Sequence, residues 1–353
     1  MMKTALTYDD ITLIPAFSEI ESRQNINLET QLTTNYKLMV PLIASPMDTV
    51  CDVDMAMTMM YLGGVGIIHR FMSIESQALM VADISDVATK EGFAGVYNTG
   101  LYEVWNTTIP IAAAVGANGD YLERAQALTN AGVNVILIDV AHGHHILVKD
   151  ALTNLKKHLP THVDIIAGNI ATQHAAIDLE FWGADGLRVG IGGGSLCTTR
   201  VKTGFGIPNV TSLEQVAEVS NVPVIACGGI RSSGDIAKAL AVGADSVILG
   251  SLLAGTKESP GAIIEKPQGL FKRYRGAASL ETKSVHGQAT RNVEGESTLV
   301  PFKGSAKFTV DGLLDGLRSA LSYAGATNIP QFKPEYVVVT NAGAHEGKPH
   351  LLY

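Results

Sequence analysis

Gly183-Ala184-Asp185-Gly186-Leu187-Arg188-Val189-Gly190 and Gly243-Ala244-Asp245-Ser246-Val247-Ile248-Leu249-Gly250 carry one phrase twice: a Gly-Ala-Asp turn, a short apolar run and a closing glycine. Ala131-Gly132-Val133 opens a related copy that runs on to Asp139. Runs apolar on both faces, set between glycine-bearing turns and alanine-rich helical patterns, read as parallel strands covered by helices. Working outward, the same grammar gives strands at Val40 to Ser45, Gly66 to His69, Pro110 to Val115, Val133 to Asp139, Asp164 to Gly168, Gly186 to Gly190, Pro223 to Ala226 and Ser246 to Gly250. A parallel series of this count closes most naturally into a (β/α)8 TIM barrel. The turn phrase recurs at irregular spacing, which marks βα modules and not a solenoid. A doubly wound sheet is the alternative; it needs a dinucleotide fingerprint after its first strand, and Gly64-Val65-Gly66 lacks that context.

Composition agrees with a large folded core: 46% of the 353 residues are hydrophobic and 17% charged, and 36 glycines against 13 prolines suit tight strand-to-helix turns. The whole chain, 1–353, then reads as a single barrel with an insert at 256–307. A net charge of −8 argues against a general nucleic-acid binder, whose affinity needs basic clusters, yet leaves room for one small anion. Cys51, Cys197 and Cys227 form no C-x-x-C pair and no disulfide framework, which implies a reducing compartment. Met1 to Asp10 lack a signal pattern, and no apolar stretch approaches the roughly 18 residues of a membrane helix. The expectation is a cytoplasmic protein with no membrane partner.

Two stretches break the rhythm. Gly190 to Pro208 is a long glycine-rich loop after the sixth strand, and Thr256 to Lys307 is a polar insert after the eighth; both project from the C-terminal rim, where barrel active sites are built. A helical segment around Val310 to Tyr323 closes the pattern. In the first stretch, Gly190-Ile191-Gly192-Gly193-Gly194-Ser195-Leu196-Cys197-Thr198-Thr199-Arg200 sets a cysteine among backbone amides that can cradle an anion and favour a thiolate. On residue type alone a lone cysteine is more often a small core residue. His142, His144 and His145 have no carboxylate or cysteine at a recognised metal spacing and read as loop histidines, not zinc ligands.

Five segments in order, Ala44-Ser45-Pro46-Met47-Asp48-Thr49-Val50, Gly66-Ile67-Ile68-His69, the Cys197 loop, Cys227-Gly228-Gly229-Ile230 and Gly250-Ser251-Leu252-Leu253-Ala254-Gly255, resemble the IMP dehydrogenase and GMP reductase family. The resemblance implies a purine nucleoside 5′-monophosphate substrate, with Cys197 bonding to purine C2 and hydride passing between C2 and a nicotinamide cofactor. It also implies a homotetramer.

Within the family the resemblance points to the reductase, acting with NADPH on GMP to give IMP and ammonia. The dehydrogenase hydrolyses its intermediate and carries an Arg-Tyr pair in its flap; here the insert's Arg273-Tyr274 precedes Arg275-Gly276 and lies outside the flap proper. Cys197-Thr198-Thr199-Arg200-Val201-Lys202-Thr203-Gly204-Phe205-Gly206 and Arg291-Asn292-Val293-Glu294-Gly295 look like the reductase forms, which implies a Thr199–Glu294 proton relay to the departing amine. Without the resemblance, Glu294 would read as a solvated loop acid. Gly66 to Val115 leaves no room for the regulatory CBS modules that many dehydrogenases insert. His142 falls where dehydrogenases carry histidine and reductases asparagine, so that position is mixed. Two alternatives stay open: an IMP dehydrogenase without CBS modules, oxidising IMP with NAD, and a non-catalytic nucleotide-binding barrel.

The remaining site residues follow from the fold and the resemblance. Ser195, Gly229, Gly250 and Ser251 fall in the usual barrel phosphate cradle. Ser45, Met47, Cys227, Gly228, Gly276, Ala277, Ala278, Arg291 and Gly295 complete the expected substrate contacts. Asp139, Ala141, Asn169, Gly190 and Gly192 are the expected cofactor contacts. Carbonyls of Gly192, Gly194 and Cys197 resemble a monovalent-cation (K+) site, although Gly193 stands where the family usually has proline. Gly276-Ala277-Ala278 lacks the family's usual methionine after its first glycine. The largest departure is Cys227, which replaces the aspartate that accepts hydrogen bonds from both ribose hydroxyls. A thiol is a weak acceptor, so the sugar becomes an open question and dGMP, giving dIMP, a second candidate substrate.

Overall fold

The computed structural model describes residues 4–96, 109–287 and 293–347, with side chains to residue 90 in the first segment. Eight parallel strands close on themselves: β1 (Leu42–Ala44), β2 (Val65–Ile68), β3 (Ala112–Val115), β4 (Val135–Asp139), β5 (Asp164–Ile170), β6 (Gly186–Val189), β7 (Val224–Cys227) and β8 (Ser246–Leu249), each hydrogen-bonded to the next and β8 to β1. Helices α1 (Val53–Tyr61), α2 (Ile74–Val96), α3 (Tyr121–Asn130), α4 (Ile146–His158), α5 (Gln173–Phe181), α6 (Asn209–Ala217) and α7 (Ser233–Ala241) follow the first seven strands, and α8 (Ala306–Tyr323) follows the insert. The fold is a TIM barrel, and every expected strand is present with its ends moved by at most two residues. None of the described helices is long and apolar enough to cross a membrane.

The recurring turn phrase has a physical reason. Gly183, Gly243 and Gly132 have φ of 108°, 106° and 106°, the left-handed region that ends each preceding helix without a Cβ penalty. Two residues on, the side chain fastens the incoming strand to its neighbour. Asp185 accepts from the Ile165 amide at 2.7 Å, Asp245 from the Val224 amide at 2.7 Å and Asn134 from the Ile111 amide at 2.8 Å. These polar residues are therefore strand anchors at the barrel's N-terminal end. That end is closed by the hairpin of Thr30–Gln31 and Lys37–Leu38, whose Leu32, Tyr36 and Leu38 pack onto the innermost core.

Two-residue periodicity sorts the strands into layers. Ile43, Val65, Ile67, Ala112, Ala114, Val135, Leu137, Ile166, Ile225 and Ile248 fill the barrel axis, while the alternate residues pack outward against the helices. One step further along the same strands, Ser45, His69, Asp139, Gly168, Arg188 and Cys227 share the inward parity and form the top layer. The site is thus the continuation of the core pattern, with polar residues and small gaps in place of isoleucine.

Two stretches depart from the expectation of unstructured loops. Within 190–208, Ile191 bridges Ile207 and a short helix spans Thr199–Thr203. The 256–307 insert folds as an antiparallel sheet of β9 (Ile264–Lys266), β10 (Gly269–Arg275) and β11 (Ser297–Pro301), with a helical turn at Leu280–Val285. Alternation was hidden there because the buried face of β10 carries Lys272 beside Tyr274, while Arg273 stands exposed on the other. The closing helix starts four residues earlier than its apolar pattern, at Ala306, with Ser305 as its N-cap.

Candidate active site

A cleft of about 470 Å³ opens at the C-terminal mouth of the barrel. Its walls are the loops after β1, β2, β4, β6, β7 and β8, the end of β5 and the insert. Every expected substrate, catalytic, cofactor and cation residue named above lines it, apart from Arg291, which lies outside the described residues. Arg70, Phe71, Arg188, Ile248, Tyr274 and Lys283 also face the cleft and were not anticipated.

Three backbone segments zip together to hold the reactive groups. Thr198 N–H donates to the Glu294 carbonyl at 3.0 Å, Glu294 N–H to the Ala278 carbonyl at 3.1 Å, and Glu296 N–H to the Leu196 carbonyl at 2.9 Å. Gly295 bridges both Cys197 and Ser279, and a Cβ there would lie 3.1 Å from the Ser279 nitrogen. The crossing is close enough to favour glycine. It sets the side chains in a line: Cys197 Sγ is 3.1 Å from Thr199 Oγ1, and that hydroxyl donates to Glu294 Oε2 at 2.8 Å. Cys197 is exposed in the cleft and Cys51 is fully buried, so only the former is placed to meet a ligand. Burial pushes the Cys51 thiol well up, which leaves it inert.

The end of the cleft where a phosphate is expected is built from small residues. Gly228 and Gly229 hold φ of 92° and 77°, and Gly250 lies under the Tyr274 ring, where a Cβ would meet its hydroxyl at 3.0 Å. Tyr274 Oη is 3.2 Å from Ser195 Oγ, so a tyrosine hydroxyl joins this end of the cleft. Desolvation raises its pKa and keeps it a neutral donor. Sequence reading had set Arg273-Tyr274 aside; the available signal was their alternation on β10, which turns Tyr274 inward while Arg273 pairs outside with Glu281 at 3.4 Å.

Arg188 connects the two ends of the mouth. Asp139, Gly168 and Arg188 are in register across β4, β5 and β6, and the absent side chain at Gly168 lets the guanidinium cross to Asp139, with Nη1 to Oδ1 at 2.5 Å. On its other side Arg188 Nε donates to Cys227 Sγ at 3.2 Å. Burial opposes this charge, but the Cys227 and Asp139 contacts outweigh it and keep the guanidinium protonated. A lone charge one step before the end of an apolar strand was the signal that could have identified it.

The chain matches the family model for the IMP dehydrogenase / GMP reductase domain over residues 5–350. It belongs to this family. Family members with both names are similar to it over nearly their full lengths. An inosine-5′-monophosphate dehydrogenase of Cryptosporidium parvum is 38% identical, covering 98% of this chain and 94% of that protein. A GMP reductase of Leishmania major is 32% identical, covering 98% and 96%. A crystal structure of a Trypanosoma brucei GMP reductase variant in complex with guanosine 5′-monophosphate superposes with a TM-score of 0.91 at 30% identity, covering 100% of this chain and 99% of that one. Overall identity therefore fixes the oxidoreductase family and leaves the choice of reaction to the site.

Other family motifs have identifiable work. Asp48, buried after β1, pairs with Arg275 at 2.6 Å and His286 at 2.8 Å, tying the insert to the rim. His144 pairs with Asp178 at 2.7 Å and His145 caps α4, so both loop histidines act locally. Gly193 sits against Asn209, where a Cβ would be 2.8 Å from the amide nitrogen and oxygen; this explains glycine in place of the family's proline. Gly194 O already accepts from Cys197 N–H at 3.1 Å, and Arg200 donates from within the loop to the carbonyls of Ile191 and Ile207.

His69 stands at the end of β2, buried and stacked on Phe71 with ring centroids 5.9 Å apart. Its Nδ1 accepts from the Phe71 amide at 3.2 Å, which requires that nitrogen to be unprotonated. Burial lowers its pKa from 6.5 to about 4, with Asp48 opposing. The unfolded histidine therefore takes its proton at higher pH than the folded one, and stability is lost as pH falls from 6.5 towards 4, by about 3 kcal/mol in full. Urea unfolding at pH 7 and pH 4.5 should show most of this loss in the native chain and a flatter response in His69→Gln. Equal losses in both would reject the assignment.

Proposed function

We propose that the chain catalyses the NADPH-dependent reductive deamination of a guanine nucleoside 5′-monophosphate, releasing ammonia and the hypoxanthine nucleotide. The observation that carries the reading is the unbroken line Cys197–Thr199–Glu294, which brings a proton-bearing hydroxyl and a carboxylate to the sulfur's side of the cleft. Cys197 Sγ bonds to purine C2 and the C2–nitrogen bond breaks, with the relay protonating the nitrogen as it leaves. An unprotonated amine is a poor leaving group, so the proton decides the rate of this step. NADPH, bound against Asp139, Ala141, Asn169, Gly190 and Gly192, would supply the hydride that replaces sulfur at C2. Asn169 fits this use: its Nδ2 donates to the Gly190 carbonyl at 2.7 Å, which leaves its oxygen free to orient a carboxamide.

The phosphate is held by Ser195, Gly229, Gly250 and Ser251 with Tyr274, and the purine edge by the backbone of Gly276, Ala277 and Ala278. The sequence supports reduction over hydrolysis because the insert's one Arg-Tyr pair is engaged elsewhere, Arg273 with Glu281 and Tyr274 with Ser195. The homotetramer, the cytoplasmic location and Arg291 as a further substrate contact belong to the same proposal, and no step is assigned to a cation. The test is product identification: NADPH oxidation with a guanine nucleotide should yield hypoxanthine nucleotide and ammonia in equal amounts. NAD reduction with IMP, without NADPH consumption by any guanine nucleotide, would assign the chain to the dehydrogenase reaction instead.

A further inference from the structure

The sugar of a nucleotide held as proposed must span from Cys197, at the base, to the amides of Ser195 and Gly229, at the phosphate. Cys227-Gly228 lies beneath that span: Gly228 packs directly on Gly193 and Gly194, where a Cβ would come within 2.9 Å of their backbone, and Gly229 follows into the cradle. Cys227 is half-buried, packs on the apolar barrel axis, and its sulfur already accepts from Arg188 Nε. Asp139 and Glu294 are the two carboxylates among the described lining residues; Asp139 accepts from Arg188 and Glu294 from Thr199. A ribose cis-diol placed here meets a thiol, a weak hydrogen-bonding group whose sulfur already accepts from Arg188, while the two lining carboxylates are each held through one oxygen, by Arg188 and by Thr199. Its 2′-hydroxyl would exchange water for a weak partner at sulfur, whereas a 2′-methylene would rest on sulfur and Ile248.

Resting on the proposed reaction, we infer that the chain's substrate is a 2′-deoxynucleoside 5′-monophosphate, with Cys227, fixed by Arg188, as the residue that selects the sugar. An apolar contact surface rejects an added hydroxyl by about 10- to 100-fold, and this sets the size of the effect. With the full chain and saturating NADPH, kcat/KM for dGMP should exceed that for GMP by at least about 10-fold. Cys227→Asp restores an acceptor with two oxygens and should shift the ratio towards GMP by a similar factor. Equal or better use of GMP by the native chain overturns the inference. Calorimetric Kd values for dGMP and GMP on the native chain test the sugar independently of turnover and of whether the variant folds. Tighter dGMP binding without turnover of either nucleotide would leave the sugar selection standing and refute the reaction; NADPH-dependent turnover with GMP preferred would do the reverse.

Discussion

Cys197→Ser is expected to stop guanine-to-hypoxanthine conversion, lowering kcat by about 10⁴-fold or more, with nucleotide affinity little changed. The argument is chemical before it is structural. A serine hydroxyl ionises many pH units above a thiol and its oxygen is a harder, less polarisable nucleophile, so the bond to C2 does not form at neutral pH. The fold should not notice, because the side chain is exposed in the cleft and its backbone contacts run through main-chain atoms. Single-turnover kinetics and intact-mass detection of a nucleotide adduct on the native chain but not the variant would measure both halves. Conversion that continues undiminished in Cys197→Ser would remove the basis of the proposed function. Tight nucleotide binding with no chemistry in either protein would favour the non-catalytic barrel.

The barrel was legible because its determinants are local and repeated. Each strand is short and apolar on both faces, and four of the eight are introduced by a positive-φ glycine, Gly63, Gly132, Gly183 or Gly243. Cys197, Thr199 and Glu294 were identified through motif resemblance, but their joining depends on a crossing between segments 95 residues apart in the Thr199–Glu294 bond, which no spacing rule encodes. Arg188 and Tyr274 escaped for a different reason. Each sits in a strand whose neighbours point the other way, and its role appears only when parity is carried from the core to the mouth. The insert was read as a polar loop because a sheet with one solvated face carries its charges where a pattern search looks for apolar residues. Cys227 is the opposite case: the resemblance marks it as standing where a carboxylate is expected, and only the three-dimensional fold brings Arg188 onto its sulfur.

Glu294→Gln is expected to lower kcat by about 10²- to 10³-fold with little change in KM, because the amide keeps the shape of the carboxylate but cannot hand on a proton. The loss should be confined to the nitrogen-releasing half of the reaction. Adding the hypoxanthine nucleotide and NADP to the enzyme runs the other half alone: sulfur bonds to C2, hydride leaves C2, and no amine is expelled. That partial reaction should proceed in Glu294→Gln at close to the native rate, while the overall reaction is slowed. Thr199→Val should reproduce the split, and Thr199→Ser, which retains the hydroxyl 2.8 Å from the carboxylate, should largely restore turnover. A purely structural role for this pair would depress both halves together, since Glu294 and Thr198 also share the backbone bond that positions Cys197. Native overall turnover in Glu294→Gln would show that the nitrogen receives its proton from another group and that the line of side chains beside the sulfur is incidental to it.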